Sequence, residues 1–164
     1  MLNRFLVPFF SLFVFLVAQA PGAAIAQDAT SLQIENSLGD TNPIRLKLSD
    51  LDAMEQIEFS TSTIWTDDVV MFSGVSLNEL LKALNTTGQT VELIALNEYS
   101  ISIPNGELGD QYPIVATRMN GEKMSVRDKG PFWLVYNYDS DPRFQNETIY
   151  SRSIWQLNRI KVVE

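Results

Sequence analysis

The 164-residue sequence contains no cysteine and no histidine. Without cysteine there is no disulfide, no thiolate ligand for a metal and no thiol nucleophile, so the fold must be stabilised by packing. Without histidine, zinc sites built on His and Cys, the Ser/His/Asp triad and the imidazole general base are excluded too. Oxygen ligands for a hard cation remain, yet no Asp-x-Asp-x-Asp-Gly loop occurs, and no metal site is expected. Positive charge is also scarce. Twelve Lys and Arg face 20 Asp and Glu, a formal net of −8, so nucleic acid is not an expected partner.

The scarcity is uneven. Residues 27–114 hold 3 basic and 14 acidic side chains, whereas residues 115–164 hold 8 basic and 6 acidic ones. An anion-binding site is therefore expected in the C-terminal third.

What is present begins with a leader. Arg4 precedes an apolar run from Phe5 to Val17, and small residues end in Ala24-Ile25-Ala26, the pattern of a secretory signal cleaved before Gln27. The apolar run falls short of the ~20 residues that span a bilayer. Residues 1–26 are thus expected to be a signal peptide, and the remaining chain periplasmic or secreted, with no membrane attachment after cleavage.

Residues 27–43 read as a polar lead-in with a first strand, and 44–164 as one domain. LQIENS and IRLKLSD alternate apolar and polar residues like half-buried strands, and SDLDAM allows a helical turn capped by Ser49. QIEFSTST and VVMFSG predict two further strands. Ser76-Leu77-Asn78-Glu79 is a capping box, and Leu77, Leu80, Leu81 and Leu84 recur at helical spacing, predicting a helix over about 76–84. TVELIAL and YSISIP follow as strands around Asn97-Glu98, and PIVATRMNGEKM runs as strand, Asn120-Gly121 turn and return. FWLVYNY predicts a buried central strand, and a last strand ends the chain. The class is α+β, mostly strand, with one clear helix and short helical turns.

The ordered set FSGVSLNELLKAL, ALNEYSISIP, IVATRMNGEKM, KGPFWLVYNYD and YSRSIWQLNRIKV resembles the oxidoreductase molybdopterin-binding domain, the sulfite oxidase family fold. The matching positions are Phe72, Gly74, Val75, Leu77, Leu80 and Leu81; Asn97 to Tyr99; Met119 to Glu122; Gly130 and Pro131; and Trp155, Arg159, Ile160 and Val162. They span roughly residues 44 to 163. The resemblance implies a mixed, barrel-like sheet and, in catalytic members, a molybdenum bound by one cysteine placed before the Gly-Val-x-Leu helix. Thiolate suits that metal, and a hydroxyl is a far poorer ligand. Here the stretch at that distance is EFSTSTIWTDD, where Thr61, Ser62 and Thr63 cover the position of the missing sulfur.

Five residues are candidates for a ligand site. Arg152, between Tyr150 and Trp155, offers a guanidinium fork to an anion, or an ion pair with one of the many carboxylates. Arg118 lies near a strand end, lining a cleft or solvated. Tyr99 and Tyr136 offer phenols, and Trp155 an aromatic face. Asp67 and Asp68 are adjacent and face opposite ways on a strand, so they do not form a carboxylate pair for acid/base work.

Two functions follow as expectations. The first is a non-catalytic binding or accessory module for a small anionic ligand or a periplasmic partner protein, with no cofactor. The second, implied by the resemblance, is a molybdopterin-dependent oxidoreductase without a cysteine ligand to the metal.

Overall fold

Strand β1 (Ser31–Asn36) buries Leu32 and Ile34 and turns its polar residues outward, as the alternation predicts. The computed structural model describes residues 31–36, 42–86 and 88–164. The expected signal segment 1–26, and residues 27–30 and 37–41 of the lead-in, lie outside them.

β1 pairs antiparallel with β2 (Ile44–Lys47) and parallel with the terminal strand β10 (Leu157–Val163). β10 in turn pairs with β5 (Thr90–Ala95), which forms a hairpin with β6 (Ser100–Pro104). The first sheet therefore runs β2-β1-β10-β5-β6. The Asn97-Glu98 bend appears where it was expected, with Glu98 at φ 63°.

IRLKLSD is only half strand. After Lys47 the chain enters helix α1 (Leu48–Asp52), and the cap differs from expectation: the Asp50 carboxylate accepts the Lys47 N–H at 2.7 Å, and Ser49 lies inside the helix. The cap lies two residues earlier than expected, and the helix buries Leu51.

The second sheet is built on β3 (Ile57–Thr61), β4 (Val70–Ser76) and β7 (Ile114–Met119). The outer edge of β7 is shared between β8 (Glu122–Lys123) and β9 (Trp133–Val135). Asn120 and Gly121 have φ of 52° and 80°, as a tight hairpin turn requires. Asn120 also clamps that turn to β4, donating its N–H to the Met71 carbonyl at 2.7 Å and accepting the Met71 N–H at 3.0 Å. β9 is shorter than FWLVYNY suggests and is not central. It pairs with one strand only, while Leu134 donates to the Ile154 carbonyl and Phe132 accepts from Leu157, so irregular chain covers its other edge.

Helix α2 (Leu77–Ala83) follows β4 directly. Ser76 accepts the Glu79 N–H at 3.3 Å, the first half of the capping box, while the Glu79 carboxylate takes Lys82 at 2.8 Å. Leu77, Leu80 and Leu81 are buried. A third helix, α3 (Glu147–Arg152), is capped by Asn146, whose side chain accepts the Ile149 N–H at 3.1 Å.

One contiguous core draws on both sheets and α2, with Phe72, Trp133, Phe132 and Tyr138 among its largest side chains. The fold is mixed α+β and mostly sheet. The barrel-like expectation is corrected, because neither sheet closes on itself among the described residues. Closure would have to join β2 with β6 in the first sheet or β3 with β8 in the second, and the four-residue β2 and two-residue β8 offer little edge for it.

Candidate functional site

α3 is short, and its C-terminal end is tied to the core. Tyr138 donates to the Ser153 hydroxyl at 2.6 Å, that hydroxyl donates to the Ile149 carbonyl at 2.8 Å, and the Trp133 indole donates to the Ser153 carbonyl at 3.1 Å. Held this way, the helix separates two hollows. Ile149 and Arg152 line one, and Tyr150 and Ser151 line the other.

The first hollow has a volume of about 320 Å³ and includes Arg152, Tyr136, Glu107, Arg143, Tyr112 and Phe144. The Arg152 side chain is only 14% exposed, and its Nη1 donates to Glu107 Oε2 at 2.6 Å, while the Glu107 side chain is 52% exposed. Burial pushes the Tyr136 phenol up to about 12, with the positive charge of Arg152 acting in the opposite direction. In the same lining, Arg143 lies over the rings of Tyr112 and Phe144, 5.2 and 4.9 Å from their centroids, and donates to the Tyr112 hydroxyl at 3.1 Å. Two guanidinium groups and two phenols thus share one concave surface. Asp141 pairs with Arg143 at 3.0 Å outside that lining.

The second hollow, about 340 Å³, is aromatic. Trp65, Tyr99, Tyr150 and Trp155 line it. Trp65 packs edge to face against both Tyr150 and Trp155 with centroids 5.9 Å apart, and against Trp133 at 5.7 Å.

The five sequence candidates are therefore divided. Arg152 and Tyr136 share the first hollow, and Tyr99 and Trp155 the second. Arg118 lines neither. It holds Asp52 of α1 through two contacts, Nη1 to Oδ1 at 2.5 Å and Nη2 to Oδ2 at 2.9 Å, a bidentate pair between β7 and the helix. Sequence reasoning missed Arg143, Glu107 and Tyr112 in the first hollow and Trp65 in the second. The basic bias of the last third pointed toward Arg143. Nothing local marked Glu107, which arrives from a turn 45 residues away.

The hydroxyls of Thr61, Ser62 and Thr63 are all engaged in holding the loop. Thr61 is fully buried and its Oγ1 accepts the Asp139 N–H at 3.1 Å. Ser62 gives both its N–H and its hydroxyl to the Asp139 carboxylate, each at 2.6 Å. The Thr63 hydroxyl accepts the Trp65 N–H at 3.0 Å and pairs with Thr66 at 2.8 Å. A molybdenum centre does not fit this donor set. The oxygens are hard, already hydrogen-bonded and faced by an aspartate, where the chemistry needs a free soft donor. Among the described residues no group of three or more His, Cys, Asp or Glu gathers to hold a metal, and no helix is long and apolar enough to cross a membrane.

No family model matches the sequence, and no curated protein does. The structure does have a solved neighbour: the sulfane dehydrogenase SoxCD from Paracoccus pantotrophus matches with a TM-score of 0.59 at 14% sequence identity, covering 81% of this chain. The match covers 38% of the neighbour, so this chain corresponds to well under half of that protein. At such identity the likeness is one of fold, a distant relationship consistent with the sulfite-oxidase-type architecture that the motifs resemble.

Proposed function

We propose that the chain is an exported sulfite-oxidase-type domain that binds a small anionic ligand and does not catalyse redox chemistry. One observation carries this reading: the Arg152 guanidinium, 14% exposed, sits in the wall of an open hollow with a half-exposed carboxylate as its counter-ion. A guanidinium removed from water needs an anion, and its fork can serve more than the one oxygen it contacts. Glu107, whose side chain is 52% exposed, can turn back to water when a ligand takes its place on the guanidinium. Arg143 supplies a second positive charge in the lining, and Tyr112 and Tyr136 supply hydroxyls. The ligand class is a carboxylate, sulfate or phosphate small enough for about 320 Å³. An acidic side chain of a periplasmic partner protein offers the same chemistry.

The absence of cysteine from the whole sequence supports the non-catalytic part, as does the engagement of Thr61, Ser62 and Thr63 with Asp139 and Trp65. The leader in residues 1–26 supports export.

The test is calorimetric titration of the purified chain with sulfate, phosphate and small dicarboxylates, alongside elemental analysis for molybdenum. Saturable binding that weakens about thirtyfold in Arg152→Ala is expected, the loss of one charged hydrogen-bonding group. Unchanged affinity in that variant removes Arg152 from the site. Stoichiometric molybdenum in protein from its native compartment sinks the non-catalytic reading.

A further inference from the structure

The aromatic hollow on the other side of α3 has a chemistry of its own. Trp155 and Tyr99 are 39% and 49% exposed, large aromatic surfaces left open at its mouth. Trp65 meets Trp155 at an interplanar angle of 75° and Tyr150 at 89°, so these rings stand as walls set at corners and do not form a parallel stack.

Several polar groups around the rings, the acceptors above all, are engaged within the fold. Asn97 Oδ1 accepts the Tyr99 N–H at 3.1 Å, the Tyr99 hydroxyl reaches the Ser151 carbonyl at 3.4 Å, and the Ser151 hydroxyl donates to Thr148 at 2.8 Å. The Ser153 hydroxyl is held by Tyr138 and Ile149. A primary ammonium, which needs several acceptors, would lose hydrogen bonds to water and recover few here.

Among the described residues no charged side chain lines the hollow, and Glu98, between Asn97 and Tyr99, is exposed and already carries a counter-ion. The nearby cations have partners: Arg159 holds Glu98 at 2.8 Å, Arg152 lines the other hollow, and Lys129 lies over the Trp133 ring, 5.6 Å from its centroid.

We propose that this hollow is a binding site for a compact quaternary ammonium ion, of the kind carried by choline. Such an ion bears a full positive charge and no hydrogen-bonding hydrogen. It is drawn by aromatic rings and asks nothing of the engaged polar groups. A volume of about 340 Å³ accommodates the trimethylammonium head. The site is independent of the anion hollow, since it uses neither Arg152 nor Tyr136.

The experiment is a tryptophan-fluorescence titration of the full chain with choline and with tetramethylammonium, at constant ionic strength set with sodium chloride. The control is the neutral alcohol in which a carbon replaces the choline nitrogen. Saturable responses to both cations, at least about tenfold weaker for the neutral isostere, are expected. Trp155→Ala and, separately, Tyr99→Ala should each weaken choline about tenfold, while Arg118→Ala, away from both hollows, leaves it unchanged. No saturable response to either cation overturns the proposal. So does an equal response to the neutral isostere, which would make the hollow merely apolar, or unchanged affinity in both aromatic variants when each retains the far-ultraviolet spectrum of the parent.

Discussion

The Asp139 carboxylate accepts both the backbone N–H and the hydroxyl of Ser62, each at 2.6 Å, across 77 residues of sequence. This joins the end of β3 to the turn after β9. These hydrogen bonds, the backbone one first, hold the Asp139 carboxyl below its ordinary value of 3.8. A depressed folded-state value means that the stabilisation is present above 3.8 and is lost as pH falls through the lowered value. Asp139→Asn is expected to lower stability by about 1 kcal/mol at neutral pH, a modest figure because the pair is exposed. Urea denaturation should show the gap to the parent closing as the pH drops below 3.8. A gap that persists undiminished to about pH 2 would mean that the charge is not what holds the loop.

Arg118 serves the fold. Its side chain and that of Asp52 are 26% and 32% exposed, and the bidentate contact fixes α1 to β7. Arg118→Ala should cost about 1 kcal/mol in chemical denaturation. It should also leave both the anion and the quaternary ammonium affinities as they are. A double-mutant cycle with Asp52→Asn isolates the pair, and a coupling indistinguishable from zero would contradict the assignment.

Much of the architecture was legible because it rests on local patterns. The leucine spacing of α2, the Asn120-Gly121 turn and the alternation in β1 each state their own geometry. The candidate site was legible only in part, for a physical reason. Arg152 and Tyr136 meet because α3 and the turn at Asn105–Glu107 converge on β9, and no local periodicity encodes that meeting. The candidates Tyr99, Trp155, Arg152, Tyr136 and Arg118 do not share one cleft, because α3 stands between the two hollows and Arg118 is committed to Asp52. Residues two apart on a helix, such as Tyr150 and Arg152, face different ways. FWLVYNY misled because its apolar run reflects burial under the segment before β10, and burial of that kind does not require a central strand.

Gly74 is required by the approach of β4 to β7. A Cβ at this position would meet the Val115 carbonyl oxygen and lie 2.6 Å from the Ala116 Cα, both backbone atoms that cannot swing away. The strand register shifts between Ser73 and Gly74, and the missing side chain allows it. Gly74→Ala should destabilise the chain by about 3 kcal/mol in urea. Gly106→Ala, where a Cβ would meet nothing within 4 Å, is the control and should stay within about 0.5 kcal/mol. Equal stability of the two variants would rule out the close approach.

Tyr136 gives the fold an alkaline limit. Its phenol is pushed by burial from 10.0 to about 12, and burial moves Tyr138 in the same direction. The folded state thus holds these protons more tightly than the unfolded chain does, so the associated stability is intact below pH 10.0 and is lost as pH rises through about 12. Tyr136→Phe removes one of the two groups. Its urea midpoint should therefore fall less steeply than the parent's above pH 10.0, while the two fall in parallel below it. The tyrosinate absorbance of the parent should carry a late step near 12 that the variant lacks. If parent and variant show the same titration and the same alkaline slope, Tyr136 is open to water and the wall that carries Arg152 is not buried as described.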